Sequence, residues 1–387
     1  MTAPAYTPAE MLEKLVAFDT TSRNSNLPLI EFVEDYLRAH GISATRVPNA
    51  DGSKTNLIAV IGPAVAGGVV LSGHTDVVPT DGQDWETDPF ALTAREGKLF
   101  GRGTCDMKAF SAAALSLVPR YVRMGLKRPV ILALSYDEEI GCLGAHSLVD
   151  RLVADFPKPM AVVVGEPTNM TVVNAHKGIR AFRTKVTGHE AHSSNTHKGV
   201  SAVMAAAELL VALKGIGDMM RERGDPSGRF DPPFTSVQSS VISGGTALNI
   251  LAKTCAFSWE YRPLPGSDEE EVRRLFDAFA ENDLLPRMRA VSPDTNIETR
   301  ASAVVSAFRP EMDSPAEALA LALTGRNACD AVSYGTEAGI FQRAGLSTVV
   351  CGPGDIAQAH QANEFVTEAQ LQACTAFLAR LGERLAG

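Results

Sequence analysis

Val69-Val70-Leu71-Ser72-Gly73-His74-Thr75-Asp76-Val77-Val78-Pro79 is the stretch from which the fold is read. Its first three residues are continuously apolar and largely β-branched, the pattern of a strand buried on both faces of a sheet, and the small residues after them free the chain to turn. His74 and Asp76 therefore stand at the carboxyl end of a buried strand. In open α/β sheets that end faces the ligand crevice, and side chains two apart on extended chain project the same way. An imidazole with a carboxylate beside it suits a metal ligand and its orienting partner. A loop histidine satisfied by a hydrogen bond is the alternative for this stretch alone.

The same pattern recurs further along the chain. Val130 to Tyr136 is a second strand of this kind and delivers Asp137-Glu138-Glu139; Ala161 to Val164 is a third, ending in Gly165-Glu166-Pro167-Thr168; Thr348 to Cys351 is a fourth, followed by Gly352-Pro353-Gly354-Asp355 and then His360. Three adjacent carboxylates at a strand end repel one another unless a cation neutralises them or one takes a proton. Gly101-Arg102-Gly103-Thr104-Cys105-Asp106-Met107-Lys108 leads into a small-residue apolar run, Ala109 to Val118, suited to a buried helix beneath the site. Its glycines lack the third member of a dinucleotide loop, and Asp106 would repel a pyrophosphate. His74, Asp106, Glu138, Glu139, Glu166 and His360 together supply about what two transition-metal ions sharing one carboxylate need. The mixed nitrogen and oxygen shell suits zinc, cobalt or manganese better than calcium or magnesium. Of the two adjacent glutamates, one can turn toward the metals and the other is placed to take a proton from water.

At 387 residues the chain exceeds the size of one ordinary core, so two domains are expected. The formal net charge of -9 argues against a nucleic-acid partner. No 18-residue apolar run and no basic-then-apolar start is present, which predicts a cytoplasmic protein with no membrane span. The six cysteines are scattered without a C-x-x-C pair and read as reduced thiols. Thr7-Pro8-Ala9-Glu10 is a helix start with a cap, a first-turn proline and an acid. From Gly178 the pattern alternates, as in Ile179 to Val186, which marks an antiparallel sheet with one wet face. The loop Gly188 to Ser194, an Ala-rich helix Val200 to Leu213, strands Thr235 to Val241 and Thr254 to Arg262, and a helix Asp268 to Ala280 complete an inserted α+β domain. Arg223 to Pro233 reads as its mobile connection, and Asn296 to Phe308 as the return to the first domain. The expected organisation is therefore 1–178 and 294–387 as one α/β domain, a mixed central sheet flanked by helices, and 179–293 as the insert.

The segments Ser72 to Pro79, Gly101 to Lys108, Asp137 to Gly141, Gly165 to Thr168 and Ala359-His360 resemble, in order, the metal-site motifs of a family of zinc-dependent amidohydrolases. That family includes acetylornithine deacetylase, succinyl-diaminopimelate desuccinylase, aminoacylase and the glutamate carboxypeptidases. The resemblance implies a zinc-peptidase-like fold and two divalent ions per chain, zinc with cobalt or manganese as substitutes. It implies Asp106 as the shared ligand, His74 and Glu166 completing one site, Glu139 and His360 the other, Glu138 as general base and Asp76 as orienter of His74. It also implies that the insert is a dimerisation lid, so that the chain forms a homodimer whose loop histidine reaches the partner's site; His192 matches, with His189 and His197 as alternatives. Trp85 to Phe90, Gly335-Thr336-Glu337-Ala338 and Gly352 to Gln361 are most similar to the acetylornithine deacetylase branch. Its substrate, an N-acyl amino acid, offers one carboxylate and one ammonium, which call for a guanidinium and a carboxylate. Arg262 resembles the family's carboxylate-binding arginine, Asn249 stands with it as a substrate contact, and Glu337 is assigned to the ammonium. A desuccinylase, a broad aminoacylase and a catalytically dead binding protein are the alternatives.

Overall fold

The structure, a computed structural model, describes residues 3–387. Its strands are β1 (Ala44–Pro48), β2 (Thr55–Ile61), β3 (Val69–His74), β4 (Thr93–Arg95), β5 (Lys98–Phe100), β6 (Val130–Ser135), β7 (Ala161–Pro167) and β8 (Val173–His176). They continue as β9 (Ile179–Thr187), β10 (Ser236–Gly244), β11 (Thr254–Arg262), β12 (Asn296–Val305), β13 (Asp330–Val332), β14 (Thr348–Gly352) and β15 (Phe365–Thr367). The chain folds as two units, one holding the residues up to Asn174 with Pro310–Asp330 and Thr336–Gly387, the other Ala175–Arg309 with Ala331–Gly335.

The first unit is built on the eight-stranded sheet, in the order β1-β2-β6-β3-β7-β14-β8-β13. β3 runs parallel to both β6 and β7, and β7 parallel to β14, whereas β1 and β2 are antiparallel, so the sheet is mixed. The apolar runs explain this interior: every residue of β3, β6, β7 and β14 is buried. Because these four strands point the same way, the residues that follow them emerge at one edge of the sheet. The helix Ala109–Ser116, made of small residues, lies under that edge. Its Phe110 fills the space that Gly165 leaves open: a Cβ there would lie 2.0 Å from the ring. At the chain's start the helix Pro8–Val16 opens with the expected reciprocal cap, Thr7 Oγ1 accepting from the Glu10 N–H and Glu10 Oε2 accepting from the Thr7 N–H at 2.7 Å.

The second unit carries an antiparallel sheet in the order β10-β11-β9-β12. β9 alternates buried and exposed residues as its sequence predicts. One face packs on the helices Ala202–Arg223 and Glu271–Phe279 through Phe182, Trp259, Tyr261 and Phe276. Trp259 stacks on Phe182 with ring centroids 4.7 Å apart, and its indole N–H donates to Thr184 Oγ1 at 2.9 Å. The expectation for Asn296 to Phe308 is corrected here. This segment does not return the chain to the first sheet: β12 pairs along its length with β9 and closes the second sheet on one edge. Its sequence shows a strand but carries no signal of which strand it joins. Among the described residues no helix is long and apolar enough to cross a membrane.

Candidate metal centre

Four strand ends and one helix start bring the donors together. His74 closes β3, fully enclosed, and its Nε2 lies 3.0 Å from Asp106 Oδ1 and 3.8 Å from Glu166 Oε1. Asp106 stands immediately ahead of the helix Ala109–Ser116, follows the left-handed Gly103, and precedes a cis peptide to Met107. Its other oxygen, Oδ2, is 3.3 Å from His360 Nε2, which is also 3.0 Å from Glu139 Oε2. Asp106 is thus flanked by both imidazoles. Donor atoms of His74, Asp106 and Glu139 lie within 4.8 Å of one another, and so do those of His74, Glu138 and Glu166. Asp137, the remaining acid of the triplet, is drawn away into an ion pair with Lys54.

Asp76 takes a different part from the one its spacing suggests. The Nδ1 of His74 is held by the main-chain carbonyl of Asp76 at 2.8 Å, with the carboxylate at 3.6 Å. That carboxylate accepts from the N–H groups of Glu138 and Glu139 at 3.1 and 3.3 Å and from Ser22 Oγ at 2.7 Å. It therefore fixes the loop that carries the two glutamates.

The electrostatics are those of a site crowded with negative charge. Burial raises Glu139 to about 7, the Asp106 charge adding to this against the His360 hydrogen bond. Burial, with the neighbouring charges of Glu139 and Asp106, raises Glu138 well above its ordinary range against the pull of His74. Glu166 is raised by burial and by Asp106. Burial opposes ionisation of Asp106 too, but hydrogen bonds from His360 and His74 hold it well below the carboxylate range. The hydrogen bonds that His360 makes to the Asp106 and Glu139 carboxylates lift it to about 10. For His74 the acidic surroundings outweigh burial and push it well above its usual value. Without a cation, protons shared among these groups balance the charge.

Glu139 Oε1 and Glu166 Oε1 are buried with no hydrogen-bond partner. An orphaned carboxylate oxygen in a closed site is costly unless a cation meets it. Two imidazoles, a carboxylate between them and two further carboxylates with free oxygens fit a pair of divalent transition-metal ions.

The substrate-binding expectations meet a different geometry. Glu337 is 1% exposed, and its oxygens accept from Ser135 Oγ and, at 3.1 Å, from Ser72 Oγ. It ties β6 to β3 from below, and no oxygen is left free of a serine. In the second unit Arg262 is paired with Glu260 at 3.1 Å. His192 is exposed with Nδ1 2.8 Å from Ser194 Oγ, and its loop pairs with the exposed turn of Asn249, whose carbonyl accepts from the Ser193 N–H at 3.0 Å. The reading of the sequence left Arg102 and Glu364 without a role. Both are buried and ion-paired at 2.7 Å beside Asp106. The only sequence signals were an arginine between two glycines and an acid four residues after His360.

A mixed α/β sheet whose aligned strand ends converge such donors defines a metallohydrolase. Residues 70–384 match the model of peptidase family M20/M25/M40. The acetylornithine deacetylase of Myxococcus xanthus is 38% identical over 95% of each chain, and that of Pasteurella multocida 31% identical over 92% of each. Among solved structures, an M20 metallo-carboxypeptidase of Sulfolobus solfataricus superposes with a TM-score of 0.77 at 15% identity, over 98% of this chain and 99% of the other. A Bacillus subtilis protein described as a dinuclear metal-binding peptidase of the M20 family gives 0.63 at 15% identity, over 97% and 96%. The chain belongs to peptidase family M20/M25/M40 and is a hydrolase of amide bonds.

Proposed function

We propose that the protein removes the acetyl group from N2-acetyl-L-ornithine, giving ornithine and acetate for arginine biosynthesis, as a cytoplasmic homodimer with two zinc ions per chain. The observation that carries the metal-dependent chemistry is the pair of orphaned oxygens on Glu139 and Glu166 beside an aspartate flanked by both imidazoles. The choice of substrate draws its support from the two deacetylases that align end to end with the chain.

In this reading Asp106 would serve both ions, with His74 and Glu166 holding one and Glu139 and His360 the other. When bound, the ions supply Lewis acidity toward the amide carbonyl and toward water. Asp76 holds the Glu138 main chain, and Cys142 Sγ–H donates to Glu138 Oε1 at 3.3 Å, which steadies the carboxylate and leaves Oε2 for proton transfer. Glu138 takes the proton from the attacking water and gives it to the departing amine. A carboxylate whose proton affinity is raised by burial can do both near neutral pH. The loop position of His192 suits a donor to the oxyanion in the partner's site, and Arg262 would exchange Glu260 for the substrate carboxylate. Release of acetate from N2-acetylornithine and N2-acetylmethionine, and of succinate from N-succinyl-diaminopimelate, measured with zinc and with cobalt, tests the reading. Acetylornithine is expected to give the highest kcat/KM; a higher value for the succinyl compound, or equal values for both acetyl compounds, would replace it with a desuccinylase or a broad aminoacylase.

A further inference from the structure

Glu364 is a buried carboxylate that the chemistry above does not use, and each of its oxygens is doubly engaged. Oε1 accepts from the main-chain N–H groups of Cys105 and Asp106 at 2.8 and 3.0 Å. Oε2 accepts from the Gly103 N–H at 3.0 Å and from Arg102 Nη1 at 2.7 Å. The turn that presents Asp106 is therefore wrapped around this side chain. Among uncharged or charged side chains only a carboxylate offers two acceptor oxygens on one planar group; an amide offers one and would aim its N–H groups at other donors. Arg102 extends the arrangement toward the second ligand. It donates to the Gln361 carbonyl at 3.3 Å and to Gln83 Oε1 at 2.5 Å, and Gln83 Nε2 donates to the carbonyl of His360 at 2.8 Å. Glu364 then enters β15, whose first residue, Phe365, pairs with Phe100 of β5 just before the Asp106 turn.

Asp106 and His360 are far apart in sequence and sit on loops, which have no ladder of their own to set their spacing. We propose that Glu364, with Arg102, is a positioning residue that fixes the Asp106 main chain and the His360 loop at the separation the metal pair requires. This rests on the two-metal reading above. A buried ion pair joined to three amides suits such a part because removing any member leaves donors unsatisfied, so the geometry has one low-energy state.

The test uses full-length metal-free protein: parent, Glu364→Gln and Glu364→Asp. Cobalt titration read by visible absorption, zinc affinity by chelator competition, thermal unfolding without metal, and kcat and KM at saturating metal are measured for each. Glu364→Gln is expected to fold, to bind metal about tenfold to a hundredfold more weakly, as losses of partners behind ligands do, and to show an altered cobalt spectrum. Its kcat is expected to fall while KM stays within about twofold, because the change acts through the position of the Asp106 and His360 side chains rather than through a substrate contact. A folded Glu364→Gln with parental cobalt affinity and spectrum overturns the proposal, even if its stability drops, because that pattern is a structural role alone. Should Glu364→Gln not fold, Glu364→Asp decides. It keeps the charge beside Arg102 but is one methylene short of the amides, so weaker cobalt binding supports the proposal and parental binding overturns it. If the parent itself binds no more than one cobalt per chain, the two-metal reading falls and this assignment with it, an outcome recognised from the parent alone.

Discussion

Glutamine at position 138 keeps the volume and the contact with Cys142 Sγ but removes the basic oxygen. Glu138→Gln is therefore expected to lose about a hundredfold to ten-thousandfold in kcat, the usual share of general acid–base catalysis. Metal analysis of the purified variant should still return two ions per chain, and loss of one would make Glu138 a ligand instead. The candidate ligands answer to pH in a definite direction. In the metal-free protein Glu139 is raised to about 7 by burial and His360 to about 10 by its bonds to Asp106 and Glu139. Both hold protons at neutral pH or below, and both must lose them to bind a cation, so each bound ion displaces protons and affinity rises with pH. Zinc titration by calorimetry at pH 6, 7 and 8, in buffers of different ionisation enthalpy, should show net proton release and tighter binding at each higher pH. Affinity that does not change across this range would show that the protons are not shared as described.

At the scale of elements, the site depends on parallel strands ending together and on one helix packed close beneath them. Phe110, four residues after Asp106, lies against the bare Cα of Gly165, which directly precedes Glu166. Gly165→Ala would drive a methyl into that ring, since a Cβ would stand 2.0 Å away. Overpacking of this kind costs about 1–3 kcal/mol, and here the strain falls between two candidate ligands, Asp106 and Glu166. The variant should melt earlier in the metal-free form and hold less zinc after dialysis; parental zinc content with a lowered melting temperature would show that the contact serves stability only. The strands of this region, and the clustering of candidate metal-binding side chains at their ends, were legible in the sequence because buried parallel strands leave long apolar runs and their ends carry the polar residues. Asp76, Glu337 and Glu364 were not legible in the same way. Their partners are main-chain amides or serines, contributed by segments remote in sequence, and no spacing records such pairings. The same limit hid the edge place of β12, whose composition gives a strand without naming its neighbour.

For the whole molecule, the apolar edge of the second unit bears on assembly. β10 is an outer strand of the second unit's sheet, paired among the described residues with β11 alone, and Val241 and Ile242 on it are 60% and 52% exposed. On the helix Ala202–Arg223 of that unit Met204 and Val211 are 66% and 71% exposed. An unpaired strand edge with apolar side chains beside an apolar helix face is a surface that proteins in water tend to cover, and a second copy related by a two-fold axis would cover it symmetrically. Sedimentation should therefore find a dimer, and Val241→Lys with Ile242→Glu should release monomers. If His192 serves the partner's site, subunits can also complement one another. His192→Ala and Glu138→Gln are each expected to be nearly inactive as homodimers, one lacking the oxyanion donor and the other the base in every site. Unfolded together and refolded as a mixture, half the dimers are mixed, and each mixed dimer has one site with an intact Glu138 facing an intact His192 of the partner subunit. Activity should then return to about a quarter of the parent's, the fraction that random pairing dictates. A mixture no more active than its components would place His192 in its own chain's chemistry or outside the reaction altogether, while leaving the metal centre of the first unit untouched.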